Sequence, residues 1–329
     1  MGISEGQGTD SLNGKAAERL KKLRKRDFSP AAVKRFLAAQ DIEVTEESDE
    51  FIQDLAVQLS DGQLNTLIDQ FKYAGRQTVN YFIIVGISDH EFDRVIDSCR
   101  KNMVQNGESD LRTPYLAHDE TMNEKLYLSF GYEESSKTRD PVTGLHNEQI
   151  STNRCVAIIR PDTDLVEVRG SDDYMPATIC RQMAESLGLT KDEQVYPPNF
   201  GIEFQKEFGD ELVDKYYNLK VRVDDEAGST VDTIQFRSKT DKNGERKDAR
   251  DDSRVSKELN ERGGEITMGY VELDDSSKFH INREESKLSF RRIEMEQKLN
   301  EVTEVINNVL EETGEYPQRK LQGLRNVPE

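Results

Sequence analysis

Arg154–Ser171, RCVAIIRPDTDLVEVRGS, reads as a β-hairpin, and the rest of the chain is organised outward from it. Arg154–Arg160 is an apolar strand core. Pro161, Asp162, Thr163 and Asp164 supply turn chemistry, because proline presets φ and the short polar side chains bond to nearby backbone. Leu165–Arg169 alternates back out, and Gly170–Ser171 ends the run. An amphipathic helix follows over Ala177–Leu187 and closes at Gly188. Strand, hairpin and helix in this order point to an α+β domain.

Further elements extend that domain on both sides. Lys125–Tyr132 (KLYLSFGY) alternates as a strand does, and Glu133–Ile150, with Pro141 and Gly144, reads as a polar loop. Downstream, Asp210–Tyr217 is expected to be helical. Leu219–Val223, Val231–Arg237 and Glu265–Leu273 alternate, and Phe279–Ile281 and Leu288–Phe290 are short strands. Ser238–Gly264 is densely charged and poor in apolar residues, which predicts a long mobile excursion. Arg291–Thr313 carries Ile293, Leu299, Val302, Ile306 and Val309 on one side of a long helix.

Upstream, the signals are helical. Ser29 can cap and Pro30 suits a first helical position. Val33, Phe36 and Leu37 form one face, and Phe51, Ile52, Leu55 and Leu59 another. Ser60 with Gln63 makes a capping box before Leu64, Leu67, Ile68 and Phe71, and Gly75 stops that helix. Arg76–Val85 is apolar and β-branched and suits either helix or strand; its place between helices favours helix. Ser88 with Glu91 offers a second capping box before Phe92, Val95, Ile96, Cys99 and Met103. The expected fold class is an N-terminal all-α small helical bundle followed by an α+β domain with a largely antiparallel sheet. The expected divisions are a disordered basic arm (1–27), the helical domain (28–107), a linker (108–123), the α+β domain (124–315, with the excursion at 238–264) and a tail (316–329).

Composition narrows the setting. The 329 residues carry 64 Asp plus Glu against 45 Lys plus Arg, a formal net charge of −19. A disordered acidic protein and a partner with a basic surface are two readings of this. The acids are spread through the chain between periodic apolar residues, which favours a third, adaptation to a salty cytoplasm where screening mutes repulsion. Such a surface argues against broad nonspecific contact with DNA phosphates. Lys15–Arg26 (KAAERLKKLRKR) reverses the sign locally, with seven basic residues in twelve. Lys15, Arg19, Lys21, Lys22, Arg24, Lys25 and Arg26 are therefore candidate nucleic-acid contacts, joined by Lys72 and Arg76 near the end of a helix. A solvated helix whose cations offset the acidic body explains the same run.

Cys99, Cys155 and Cys180 lie far apart on apolar faces, a pattern of buried free thiols in a reducing compartment. The polar start MGISEGQG and the shortness of the apolar run Tyr81–Ile87 point to a soluble, cytoplasmic protein with no membrane role.

Chemistry-bearing patterns are sparse. Asp162, Asp164 and Glu167, with Arg169, form a degenerate version of the pattern in which acids on a hairpin hold a metal for a nuclease. The expected Lys is Arg169, which cannot act as a base, and Asp162 and Asp164 are ordinary turn residues. Glu167 and Arg169 share a strand face and can pair at the surface. His90, His118, His146 and His280 do not cluster. Neither a phosphate loop nor a nucleophile set is present, and no cofactor is expected.

The order of elements resembles the centromere protein N family of kinetochores. Val33–Leu59 corresponds to its early helices, and LSDGQLNTLIDQF (Leu59–Phe71) resembles its Ser-initiated helix. Lys125–Tyr132, a polar loop, the hairpin and Ala177–Leu187 match its strand, loop, hairpin and helix order. ETGEYPQRKL (Glu312–Leu321) is similar to its ending. The resemblance implies a death-fold-like helical domain and a non-enzymatic protein that docks on DNA, chromatin-like complexes or a partner protein. The expected function is thus a binding or adaptor protein, with the metal-dependent nuclease at Asp162, Asp164 and Glu167 as the alternative.

Overall fold

A computed structural model describes residues 34, 36–38, 40–42, 59–73, 78–104, 111–139, 146–170, 174–189, 194–223, 233–240, 242, 246–273, 277–291 and 294–314. The chain divides into two compact units, Met1–Gln77 with Phe290–Thr303, and Thr78–Ser289 with Glu304–Glu329.

In the first unit, helix α1 (Asp61–Lys72) begins as its sequence predicts. Ser60 caps it, Gln63 Oε1 accepts the Ser60 N–H at 3.0 Å, and Ser60 Oγ accepts the Gln63 N–H at 3.3 Å. Leu64, Leu67, Ile68 and Phe71 are buried. The Gln297 N–H donates to Gln70 Oε1 at 2.9 Å.

The second unit is built on one antiparallel sheet. Its strands are β1 (Thr78–Ile84), β2 (Tyr115–Met122), β3 (Lys125–Arg139), β4 (His146–Ile159), β5 (Leu165–Gly170), β6 (Val195–Tyr196), β7 (Lys215–Arg222), β8 (Thr233–Arg237), β9 (Glu265–Glu272), β10 (Lys278–Asn282) and β11 (Lys287–Phe290). The order across the sheet is β2-β3-β4-β5-β1-β11-β10-β9-β7-β8, with β6 also on β1. Helices α2 (Phe92–Asn102), α3 (Met175–Ser186) and α4 (Ile202–Leu212) belong to this unit, and α5 (Glu296–Glu312) runs through the division into it.

The middle of the sheet overturns the expected helical bundle. β1, TVNYFII, lies between β5 and β11, in register from Thr78 opposite Gly170 to Ile83 opposite Leu165, and from Thr78 opposite Ser289 to Asn80 opposite Lys287. Val79, Asn80, Tyr81, Ile83 and Ile84 are buried, so side chains on both faces are covered. A short apolar run carries no period that separates a buried strand from a helix. The neighbouring helices in sequence suggested helix. Partners some ninety and two hundred residues downstream decide for strand, and the β-branched and aromatic content suits it. From Thr78 onward the chain is therefore sheet and cover, not bundle. The expected helices over 28–58 lie, apart from a few residues, outside those described.

One face of β1, β3, β4 and β5 is covered by α2 and α3. Leu126, Leu128, Phe130, Ala157, Ile159, Val166 and Val168 share a core with Val95 and Cys99 of α2 and Ile179, Cys180 and Met183 of α3. All three cysteines are buried and in no disulfide. Near the other end, an aromatic ladder runs along α4. Phe200 stacks on Phe204 at 4.3 Å and Phe204 on Phe208 at 5.5 Å, with Tyr81 and Phe279 at its ends. The i, i+4 spacing of these phenylalanines marks the helix, which ends at Leu212 where helix was expected to begin at Asp210.

Other expectations also change. The expected linker over 108–123 contains edge strand β2. The expected polar loop over Glu133–Ile150 is largely strand, as β3 and β4 continue to Arg139 and His146. Glu91, not Ser88, caps α2, and no side chain bonds at that cap. Within 238–264, Thr240 bridges to Arg246 and short helical turns follow over 249–261.

Candidate functional site

The hairpin carboxylates point in different directions. Asp162 stands in the exposed turn with φ of +61°, a left-handed conformation that Asp tolerates. Asp164 is turned onto the loop after β1. Its Oδ2 accepts the Gly86 N–H at 3.1 Å, and its Oδ1 accepts both the N–H (3.1 Å) and the hydroxyl (2.7 Å) of Ser88. Thr163 donates its hydroxyl to Asn307 Oδ1 of α5 at 2.7 Å. The turn is thereby fixed to two other elements.

Glu167 is fully buried on β5. Arg160 Nη2 donates to its Oε2 at 2.7 Å, and Arg169 Nε donates to its Oε1 at 2.5 Å. The pair expected at the surface is thus an interior one, and it includes Arg160 as a third member. The residue spacing shows why. Glu167 lies opposite Ile158 in the β4–β5 ladder, so Arg160 and Arg169 project from the same face as Glu167. Burial pushes the Glu167 carboxyl up, but the charges and hydrogen bonds of Arg169 and Arg160 outweigh it and hold it at about 2. Both carboxylate oxygens are engaged. Among the described residues no three His, Cys, Asp or Glu side chains come together as a metal site. Asp162, Asp164 and Glu167 are therefore not brought to one point.

Of the candidate nucleic-acid contacts, Lys15, Arg19, Lys21, Lys22, Arg24, Lys25, Arg26 and Arg76 lie outside the described residues. Lys72 is in the last turn of α1, with its Nζ 5.4 Å from the ring centre of Tyr73. The histidines are dispersed: His90 precedes α2, His118 is exposed on β2, His146 begins β4, and His280 on β10 lies 4.7 Å from the Tyr270 ring. Burial raises two of the thiols. Cys99 is pushed up to about 11, a little less than burial alone would give because Ser186 bonds to it, and Cys180 is pushed up further. Such thiols are poor nucleophiles.

The least expected feature is the length of the β3–β4 ladder. It is continuous from Leu126 opposite Ile159 to Arg139 opposite His146. β2 flanks β3 only as far as Gly131, and β5 flanks β4 only from Val156 onward. Beyond these limits Arg112 adds one backbone bond, to the Glu133 carbonyl, and an ion pair to Glu134. Past Glu134 the ribbon has no flanking strand among the described residues. At about 3.3 Å per residue, the pairs from Tyr132 to Arg139 make a ribbon roughly 25 Å long. Its polar side chains link across, as in Ser135 Oγ donating to Glu148 Oε1 at 2.5 Å and Ser136 Oγ to the Gln149 carbonyl at 3.3 Å. Ile150 is half exposed on it. Sequence reasoning missed the ribbon because EESSKTR has no apolar alternation; a strand with no core face leaves no periodic trace.

No protein-family model matches the chain, and no curated protein matches it either.

Proposed function

We propose that this chain is a non-enzymatic adaptor that binds a partner protein through the β3–β4 ribbon. The observation that carries this reading is the ladder that outruns both of its neighbours. A two-stranded ribbon is marginal in water and buries little of itself. Past Glu134, among the described residues, it exposes backbone N–H and C=O groups along both edges, the surface used when a partner adds a strand. Its carboxylates and sparse cations fit a protein better than a phosphate backbone.

The test replaces residues 136–149 with an Asn-Gly turn between Ser135 and Ile150. Proteins crosslinked to the chain in its native lysate are compared with those crosslinked to the shortened form. Loss of a defined partner with unchanged thermal unfolding supports the reading, and an unchanged set of crosslinked proteins overturns it. Incubating the intact protein with DNA or RNA and Mg²⁺ or Mn²⁺ addresses the alternative nuclease in the same preparation.

A second contact surface has its own observation. The cation run Lys15–Arg26 in a chain of net charge −19 favours an acidic target such as DNA for that arm.

A further inference from the structure

A cleft of about 350 Å³ lies between the end of β8 and the helical turns over 249–254. The charged excursion forms one of its walls. Phe236, Arg237, Ser238, Lys239, Lys247 and Arg254 line it, together with three aspartates. Two of the aspartates are already engaged. Asp248 accepts from the Tyr216 and Arg250 N–H groups at 3.2 and 2.8 Å and from the Arg250 guanidinium at 2.7 Å. Asp252 holds both Nε and Nη2 of Arg254, at 2.9 and 2.7 Å. Arg237 and Lys247, by contrast, make no ion pair and no side-chain hydrogen bond with any described residue, and Lys239 makes neither although its charge acts on Asp252. In a sequence with 64 acids against 45 cations, four cations against three aspartates around one cleft run against the composition. Ser238 also lines the cleft, and its hydroxyl oxygen is closed off from solvent and bonds to nothing among the described residues.

We infer that this cleft binds a small phosphate-bearing molecule. Arg237, Lys239 and Lys247 supply the charge that a phosphate needs, and Arg offers it a planar fork of donors. Phe236 gives an apolar wall for the organic part of the ligand, and the volume is at the lower end of that of small-molecule sites. Asp251, the lining carboxylate with no bond among the described residues, opposes the anion and sets a modest affinity. The inference does not depend on the ribbon.

Binding is read by titration calorimetry of the full-length protein with three probes: inorganic phosphate, adenosine monophosphate and a short DNA duplex. The nucleotide is expected to bind more tightly than phosphate. The Lys239→Ala/Lys247→Ala double variant, which changes exposed side chains only, is expected to weaken nucleotide binding roughly tenfold, as two partly exposed charge contacts do. Asp251→Asn is expected to tighten it several-fold. Phosphate binding without a gain from the nucleoside leaves the phosphate assignment standing and removes Phe236 from it. Absence of binding by either small probe at millimolar concentration overturns the inference. So does binding that the double variant leaves unchanged, and so does binding of the duplex alone, which marks a nucleic-acid surface instead.

Discussion

Ser88 gives both its hydroxyl and its backbone N–H to one carboxylate oxygen of Asp164, at 2.7 and 3.1 Å. This bond joins the turn of the β4–β5 hairpin to the loop that leaves β1, across 76 residues of sequence. It also reassigns two residues at once. Ser88 is engaged here instead of capping α2, and Asp164 is a brace instead of a metal ligand. Charge-assisted bonds of this kind contribute about 1.5–3 kcal/mol each when a partner is lost from a shielded site. Asp164→Ala is expected to lower stability by about 2–3 kcal/mol in urea unfolding. Asp164→Asn keeps an acceptor and is expected to recover part of the loss. Equal losses in both variants would show that the acceptor geometry does not matter.

Glu167 makes stability depend on acid in a definite direction. Its carboxyl titrates at about 2 in the folded state, against 4.5 as its ordinary value. The native state therefore holds fewer protons than the unfolded chain between these values. The contribution is complete above about pH 4.5 and is lost as pH falls toward about 2, with a size on the order of 3 kcal/mol. Glu167→Gln leaves Arg160 and Arg169 facing a neutral amide in the interior, and is expected to cost about 3–5 kcal/mol near neutrality. The difference between wild type and variant should shrink as pH is taken from 5 to 2. A constant difference over that window would mean that Glu167 is not held ionised by the two guanidiniums.

What could be read in the sequence follows from where each signal originates. α1 was legible because its cap and apolar stripe are local: Ser60, Gln63, Leu64 and Phe71 lie within one short stretch. The β4–β5 hairpin and α3 were legible for the same reason. β1 was not, because strand pairing with Arg169 and Leu288 is long-range, and Val79–Ile84, apolar except for Asn80, carries apolar residues on both faces in either conformation. The burial of Glu167 was hidden because an alternating Leu-Val-Glu-Val-Arg run looks half-exposed until Arg160 is placed beside it. Ser238–Gly264 read as a mobile charged excursion, and only the fold shows that Asp248 is held by Arg250 and Asp252 by Arg254.

Gly170 has a packing role that its place at a strand end conceals. Its φ is not in the left-handed region, so conformational freedom is not the reason for glycine. A Cβ there would lie 2.4 Å from Cys155 Sγ. Gly170→Ala is expected to destabilise by about 1–3 kcal/mol through overpacking. The cause can be separated by a double-mutant cycle, because Cys155→Ala removes the sulfur that blocks the site. Gly170→Ala should cost much less in that background. An equal cost in both backgrounds would place the strain in the β1–β5 pairing instead.

The basic arm predicts a salt-dependent contact with DNA. Each phosphate contact releases counterions, so log affinity falls with log salt by about 0.9 per contact. Neutralising Lys21, Lys22, Arg24, Lys25 and Arg26 to Gln removes five of the seven cations of Lys15–Arg26. The acidic body repels the same DNA, and salt screens that repulsion together with the attraction. The slope for the intact protein should therefore be shallower than seven contacts alone would give. Gel shifts of a short duplex over a salt series should show retention that falls with salt in the intact protein. The neutralised form should lose retention at low salt and show a flatter slope. Equal retention and equal slopes in the two proteins would remove DNA contact from the arm and leave its cations as an offset to the acidic surface.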